Sequence, residues 1–192
     1  MALANSKIKI EHREILLNDR PRVLYEISPK ATVPVLYIGN NNIIDESLDI
    51  MLWVIKTTSC DWLKNNSTKQ LEMIEINDSH FKYFLDRYKY SDRYPELTFE
   101  NYQNKCKKYL NEYDDIIKNN LYFSGNFIQL VDIALFPFIR QCAHVDTAWF
   151  EKTFLNLNNW LNNIKTSSLF LSVMHKYEIW DQKKQGIITI YK

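Results

Sequence analysis

Short apolar runs separated by turn residues occupy the first part of the chain. Residues 7–16 alternate imperfectly between isoleucines and charged side chains, a pattern that predicts a β-strand. Residues 35–38 and 43–44 are apolar and flank Gly39 and three asparagines, which tolerate positive φ, so this segment predicts a hairpin of two short strands. Residues 45–47, Asp-Glu-Ser, then open a helix. The first part of the chain therefore predicts a mixture of strands and helices.

Beyond a polar stretch at residues 57–66, the apolar residues change to a spacing of three and four. This spacing predicts helices. Residues 67–70, Ser-Thr-Lys-Gln, have the form of a capping box before a long helix, and Thr98 is placed to cap the next one. Residues 129–143 are apolar on nearly every side, which is typical of a buried helix, and Pro137 is expected to kink it. The tail after residue 181 is polar and then apolar again, and we assign it to no element.

The composition is that of a globular protein without a bias toward nucleic acids or membranes. Hydrophobic residues make up 46% of the 192 residues and charged residues 24%, both ordinary values for a soluble domain. A net charge of +1 gives no electrostatic reason to expect nucleic acid or an anionic membrane as a partner. Residues 87–94 alternate basic and aromatic side chains, as nucleic-acid-binding segments do, but the end of a solvated helix is the favoured interpretation. No apolar stretch reaches the length of a membrane span.

The cysteines and histidines favour a reduced, metal-free protein. Cys60, Cys106 and Cys142 are odd in number and widely spaced, and the four histidines show no metal-ligand spacing. This usage predicts a cytoplasmic location without disulfides. Cys106 and Cys142 fall on apolar helix faces, so we interpret them as inert core thiols.

The segment from residue 28 to residue 47 carries the candidate chemistry. A proline at the start of a strand donates no ladder hydrogen bond, and the Val33-Pro34 bond is a candidate for the cis form. A cis turn would leave the Val33 N–H and C=O pointing outward to pair with an extended peptide. Lys30 is placed to meet a carboxylate, and Glu46 to hold an ammonium group. Ser47 lies at a helix start, where the dipole favours an anion. A ligand with a peptide backbone, an α-amino group and carboxylates suits these residues, and glutathione is such a ligand.

Each of these residues also has a plain structural interpretation. Taken alone, Pro34 is a strand-start proline and Lys30 a solvated loop lysine. Glu46 and Ser47 are also good first-turn residues of a helix. The presence of Lys30 and Glu46-Ser47 at these distances favours a peptide-binding edge at Val33-Pro34.

The sequence resembles the cytosolic glutathione S-transferases. Residues 28–36, Ser-Pro-Lys-Ala-Thr-Val-Pro-Val-Leu, and the Asp-Glu-Ser at 45–47 are similar to the glutathione-binding half of that family's N-terminal domain. Residues 132–141, Asp-Ile-Ala-Leu-Phe-Pro-Phe-Ile-Arg-Gln, resemble the buried central helix of its C-terminal domain. In this order and at this spacing, the matches extend over nearly the whole chain.

The resemblance implies a fold, a ligand and an activity. It implies an α/β, thioredoxin-like domain at residues 1–58, followed by an all-α, glutathione-transferase-type helical domain at residues 59–192. It also implies a cytoplasmic homodimer in which Lys30, Val33, Pro34, Glu46 and Ser47 bind glutathione. The expected reaction transfers glutathione to a small electrophile or exchanges it with a disulfide. No metal, nucleic acid or membrane partner is implied.

The resemblance also implies a structural role for Asp132. The family uses an aspartate here in a capping box, with Ser or Thr three residues earlier. This chain has Gln129 at that position, a poor N-cap residue whose presence weakens such a cap by about 1 kcal/mol. We expect Asp132 to be structural and to accept backbone N–H groups.

The start of the chain carries a further expectation. On the family pattern, Met1 falls where the first helix is already ending, so we expect the first strand and the catalytic loop to be missing. That loop supplies the Ser, Tyr or Cys that activates the glutathione sulfur in the family. Without the absent strand, the strand at residues 7–16 is expected to lose its main partner and present an open edge. The alternative function is a non-catalytic, glutathione-transferase-like binding or regulatory protein.

Overall fold

The computed structural model describes residues 1–190 and divides into two compact units. The first unit contains Met1–Cys60 together with the chain from Ser168 onward, and the second contains Asp61–Ser167. The division at residues 58 and 59 expected from the sequence stays a prediction. All of residues 59–192 are expected from the sequence to form the helical domain, whereas in the structure the segment after residue 167 belongs with the first unit.

Helices and short strands alternate in the first sixty residues, and helices alone follow up to residue 167. The elements of residues 1–60 are α1 (Ala2–Asn5), β1 (Ile10–His12), α2 (Arg22–Ile27), β2 (Leu36–Tyr37), β3 (Ile43–Ile44) and α3 (Ser47–Thr57). Those of the second unit are α4 (Ser67–Ile76), a π-helical turn (Asn77–Phe81), α5 (Lys82–Lys89), a 3₁₀ turn (Ser91–Arg93), α6 (Phe99–Ile117), α7 (Leu130–Val145), α8 (Thr147–Thr153) and α9 (Leu155–Lys165). The chain then forms α10 (Ser168–Ser172) and β4 (Ile187–Thr189).

Two separate two-stranded sheets lie in the first unit, and one of them uses the end of the chain. β4 pairs antiparallel with β1, so that Ile10 lies opposite Thr189 and His12 opposite Ile187. The expectation of an open edge is therefore wrong on the side of β1 that pairs with β4. The tail that the sequence left unassigned supplies that partner.

Several contacts beyond the ladder hold the tail against β1. The Trp180 N–H donates to the Glu14 carbonyl over 2.8 Å, and the Gly186 N–H donates to the Glu11 carboxylate over 2.9 Å. The latter bond is the main reason that the pKa of Glu11 lies below its usual range. Gly186 also lies so close to β1 that a Cβ atom there would be 2.6 Å from the His12 carbonyl oxygen. A glycine is required at this crossing.

The second sheet is the predicted hairpin. β2 and β3 pair antiparallel with Leu36 opposite Ile44, and Gly39 in the turn has a φ of +87°. Asn40 and Asn41 also have positive φ, as expected for asparagine in a tight turn. The turn residues thus explain why the chain reverses here, and the reversal brings residues 45–47 back toward residues 28–30.

The α4 helix begins differently from the prediction. The predicted capping box from Ser67 to Gln70 is wrong, because the Gln70 side chain is buried and bonds to two other segments instead. Its Oε1 atom accepts the Val131 N–H over 3.0 Å, and its Nε2 atom donates to the Asn65 carbonyl over 2.6 Å. Gln70 therefore joins the start of α4 to the first turn of α7. The predicted cap of α6 is confirmed, since the Thr98 hydroxyl accepts the Asn101 N–H over 3.2 Å.

The core of the second unit is built around α7. This helix is buried along most of its length, as its apolar composition predicts. It also contains Pro137. Asp132 in its first turn is fully buried, and its carboxylate accepts the Phe123 N–H, the Gln129 N–H and the Trp160 indole N–H at 3.0, 2.8 and 2.8 Å. The structural role expected of Asp132 agrees with these bonds.

Gln129 takes the N-cap position of α7. Its side chain and Asp132 adopt the reciprocal arrangement of a capping box. Within the described residues, however, the Gln129 Oε1 atom makes no hydrogen bond of normal geometry. The Asp132 half of the box therefore carries most of the stabilisation.

Among the helices of residues 1–190, none combines the length and the apolar composition needed to cross a lipid bilayer.

Candidate functional site

The loop that precedes β2 presents an open stretch of backbone. The Val33-Pro34 peptide bond is cis, in agreement with the sequence-based expectation, and 44% of Val33 is exposed. Within the described part of the chain, the Val33 N–H and C=O make no hydrogen bond. An extended peptide would find a free donor and a free acceptor there.

Lys30 lies beside the two acidic residues that open α3. Its Nζ atom is 2.8 Å from the Glu46 carboxylate and 3.5 Å from that of Asp45. The Glu46 hydrogen bond is the largest cause of a raised pKa for Lys30, followed by the charge of Asp45. The lysine side chain is exposed, so its partners exchange readily with solvent or with a ligand.

Glu46 and Ser47 stand at the boundary between β3 and α3. Glu46 is the N-cap residue, with extended backbone angles, and Ser47 is the first residue of the helix. The leading N–H groups of a helix have no partner within the helix. Among the residues that the structure describes, the side chain of the N-cap residue forms no hydrogen bond to those of α3. The helix start is thus able to receive a carboxylate, because the dipole places partial positive charge there.

Ser28 and Asp45 join the two parts of this site, and the sequence analysis did not identify them as a pair. The buried Ser28 hydroxyl donates to the Asp45 Oδ2 atom over 3.0 Å. The two residues are 17 positions apart, and the hairpin between them brings them together. A clue existed in the sequence, since Asp45 directly precedes the predicted pair Glu46-Ser47.

The structure brings together some of the predicted residues and leaves others linked only along the chain. Lys30 and Glu46 are in direct contact, and Ser47 follows Glu46. Val33 and Pro34 lie in the same loop as Lys30, and within residues 1–190 neither forms a hydrogen bond to Glu46 or Ser47. The loop backbone and the helix start are therefore two separate sets of candidate binding groups.

Two family models match the chain over most of its length. The glutathione S-transferase N-terminal domain matches residues 1–60, and the glutathione S-transferase C-terminal domain matches residues 73–167. The chain belongs to the glutathione S-transferase family. The family matches also support the predicted fold, a thioredoxin-like N-terminal domain followed by a helical C-terminal domain.

Individual members of the family resemble this one over nearly their whole length. A probable glutathione S-transferase of Nicotiana plumbaginifolia, MSR-1, is 25% identical over 194 residues, which cover 94% of this chain and 85% of the relative. A possible glutathione S-transferase from Rhodopseudomonas palustris has a TM-score of 0.74 at 18% identity, covering 95% of this chain and 86% of its own. A serine-to-cysteine mutant of poplar glutathione transferase F1 has a TM-score of 0.74 at 13% identity, and the match covers 90% of this chain and 88% of the poplar chain. These structures establish the shared fold.

The cysteines of this family member lie outside the candidate site. Cys106 and Cys142 are fully buried, as their positions on apolar faces predict, and Cys60 is half-buried. A hydrogen bond with Cys106 and burial both raise the pKa of the Cys142 thiol. Across the described residues, no three His, Cys, Asp or Glu side chains form a group able to hold a metal ion.

Proposed function

We propose that this glutathione S-transferase family member binds glutathione at Lys30, Val33, Pro34, Glu46 and Ser47. The observation that carries the proposal is the 2.8 Å contact between Lys30 and Glu46 beside the uncapped start of α3. It places a cation, an anion and free helix N–H groups within one small region. Glutathione carries two carboxylates and one ammonium group, so its charges complement this set.

Each binding group has a partner in glutathione. The Val33 N–H and C=O pair with the backbone of the central cysteinyl residue, as one strand pairs with another. Glu46 accepts the ammonium group of the γ-glutamyl residue, and Ser47 with the first N–H groups of α3 binds its carboxylate. Lys30 holds the carboxylate of the glycine end.

Ligand binding replaces an internal ion pair. In the unliganded protein, Lys30 and Glu46 satisfy each other's charges in an exposed position. The ligand ammonium takes over Glu46 and the ligand carboxylate takes over Lys30. Because exposed ion pairs are worth little, this exchange costs little free energy.

The reaction proposed for the bound glutathione begins with loss of the thiol proton to a base or to solvent. In conjugation, the thiolate lone pair forms a sulfur–carbon bond, and the leaving group departs with its bonding electrons. In exchange, the thiolate forms a bond to one sulfur of a disulfide, and the other sulfur leaves as a thiolate. Both reactions accelerate when the protein lowers the thiol pKa.

The remaining predictions accompany this proposal. A small electrophile or a disulfide is the second substrate, the chain acts as a cytoplasmic homodimer, and no metal, nucleic acid or membrane takes part. The family resemblance supports the second substrate and the homodimer, and the net charge of +1 gives no electrostatic reason to expect nucleic acid or an anionic membrane.

Calorimetric titration with glutathione tests the binding site. We expect the wild-type chain to bind and Ser47→Ala to bind more weakly, whereas Ser59→Ala, an exposed serine outside the site, should match wild type. Absence of binding by the wild-type chain would contradict the proposal. Unchanged binding by Ser47→Ala would remove Ser47 from the site.

Turnover separates the enzyme from the alternative. The wild-type protein is incubated with glutathione and either an aryl chloride or a small disulfide, and product is compared with the uncatalysed rate. Product above that rate supports the transferase. Glutathione binding without turnover of either substrate would favour the non-catalytic binding protein.

A further inference from the structure

Asp45 connects both sides of the candidate site. It lies between the end of β3 and the start of α3, and its two carboxylate oxygens face different partners. The Oδ2 atom accepts the Ser28 hydroxyl over 3.0 Å, and the Oδ1 atom is 3.5 Å from the Lys30 Nζ atom. One carboxylate therefore contacts both the first residue and the charged residue of the loop at residues 28–34.

The two connections differ in their exposure to solvent. Ser28 is buried, with only 1% of its surface exposed, and the Asp45 side chain is 28% exposed. The side chains of Lys30 and Glu46 are each more than half exposed. The Ser28–Asp45 bond is thus partly shielded from water, whereas water solvates the Lys30–Glu46 pair more fully and weakens it.

This difference matters when a ligand arrives, an argument that rests on the proposed function. Once a ligand ammonium occupies Glu46, the Lys30–Glu46 contact is lost. Within the described residues, Asp45 is then the side chain whose hydrogen bonds still link the loop to the helix start.

We propose that Asp45 is a positioning residue for glutathione binding, acting through the buried Ser28 hydroxyl. The Ser28–Asp45 hydrogen bond holds the loop of residues 28–34 against the start of α3. Lys30 and the Val33 backbone therefore keep their places relative to Glu46 and Ser47 while the ligand displaces the internal ion pair. Asp45 itself makes no contact with the ligand in this role.

Three substitutions separate the hydrogen bond from the charge. Asp45→Ala removes both the acceptor and the charge, Ser28→Ala removes the donor only, and Asp45→Asn keeps an acceptor for Ser28 but removes the charge facing Lys30. Asp49→Ala is the matched control, because it removes an exposed carboxylate from the first turn of α3 that forms no hydrogen bond to Ser28 or Lys30 within the described residues. Glutathione affinity is measured by calorimetry, and folding is checked by circular dichroism and thermal unfolding.

We expect Ser28→Ala and Asp45→Ala each to raise the glutathione Kd about fivefold, the effect of losing one hydrogen bond. The Ser28→Ala/Asp45→Ala double variant should bind no more weakly than Asp45→Ala, because both changes break the same bond. Asp45→Asn should lie within about twofold of wild type, and so should Asp49→Ala. Rescue by asparagine together with non-additivity distinguishes positioning from a general loss of stability.

Three results would overturn the inference. They are wild-type affinity in both Ser28→Ala and Asp45→Ala, additive effects in the double variant, and an Asp45→Asn variant as weak as Asp45→Ala. The asparagine and Ser28→Ala variants preserve the test if Asp45→Ala fails to fold. A wild-type chain that does not bind glutathione at all would instead refute the proposed function.

Discussion

The indole N–H of Trp160 donates to the carboxylate of Asp132 over 2.8 Å, and both side chains are buried. The bond joins α9 to the first turn of α7. Two backbone N–H groups, from Phe123 and Gln129, complete the environment of the same carboxylate. One side chain thus fixes a helix start, a preceding loop and a neighbouring helix in the second unit.

Removing the carboxylate should be costly. We expect Asp132→Ala to lower the free energy of unfolding by about 3 kcal/mol, because three buried N–H donors lose their acceptor. Trp160→Phe keeps most of the packing and loses one donor, so a decrease of about 1 kcal/mol is expected. Urea unfolding followed by circular dichroism measures both. An Asp132→Ala variant as stable as wild type would show that the network contributes nothing.

The same carboxylate should make stability depend on pH. Burial raises the pKa of Asp132 to about 6, although the hydrogen bonds from Phe123, Trp160 and Gln129 oppose the rise. An unfolded chain has an aspartate pKa of about 3.9, so the folded state binds this proton more tightly. The resulting stabilisation is complete below about pH 4 and is lost as the pH rises through about 6.

Comparison with Asp132→Asn isolates this contribution, because an amide does not titrate. The free energy of unfolding of wild type minus that of Asp132→Asn should increase as the pH falls from about 7 to about 4.5. Unfolding by urea at several pH values provides the data. A difference that stays constant, or that decreases toward acid, contradicts the raised pKa.

The crossing of Gly186 and β1 predicts a second stability effect. A Cβ atom at residue 186 would lie 2.6 Å from the His12 carbonyl oxygen and 2.9 Å from the Arg13 Cγ atom. Gly186→Ala should therefore separate β4 from β1 and increase amide hydrogen exchange at Ile10–His12. Lys183→Ala, an exposed side chain in the same tail, should leave exchange unchanged. Equal protection in both variants would show that the tail tolerates a side chain at this crossing.

Glu46 predicts a ligand-dependent effect. If Glu46 accepts the ammonium of the γ-glutamyl residue, Glu46→Gln should weaken glutathione binding about tenfold. The same variant should bind N-acetylglutathione as wild type does, because that ligand has no ammonium group to lose. Calorimetry with both ligands gives the comparison. An equal loss of affinity for both would place the ammonium elsewhere.

The local features of the site were accessible from the sequence. Gly39 and the asparagines beside it specify a tight turn through their backbone preferences, and Glu46-Ser47 follows the second strand at the predicted helix start. Such features depend on neighbouring residues only, which explains why a pattern along the chain predicts them.

The features that the sequence did not predict depend on distant partners. Gln70 fits the local pattern of a capping box. Its side-chain oxygen instead accepts a hydrogen bond from the Val131 N–H, which lies 61 residues further along the chain. The Ser28–Asp45 bond requires the intervening hairpin. In each example tertiary packing decided between locally equivalent choices.

The pairing of β4 with β1 has a consequence for synthesis of the chain. Glu11 meets Gly186 across 175 positions, so β1 leaves the ribosome long before its partner exists. The whole of Asp61–Ser167 emerges in the meantime and has its complete set of helices available. The part of the protein that is translated first is therefore the part that finishes folding last. A nascent chain stalled before residue 187 would display β1 as an unpaired edge, the kind of segment that chaperones bind.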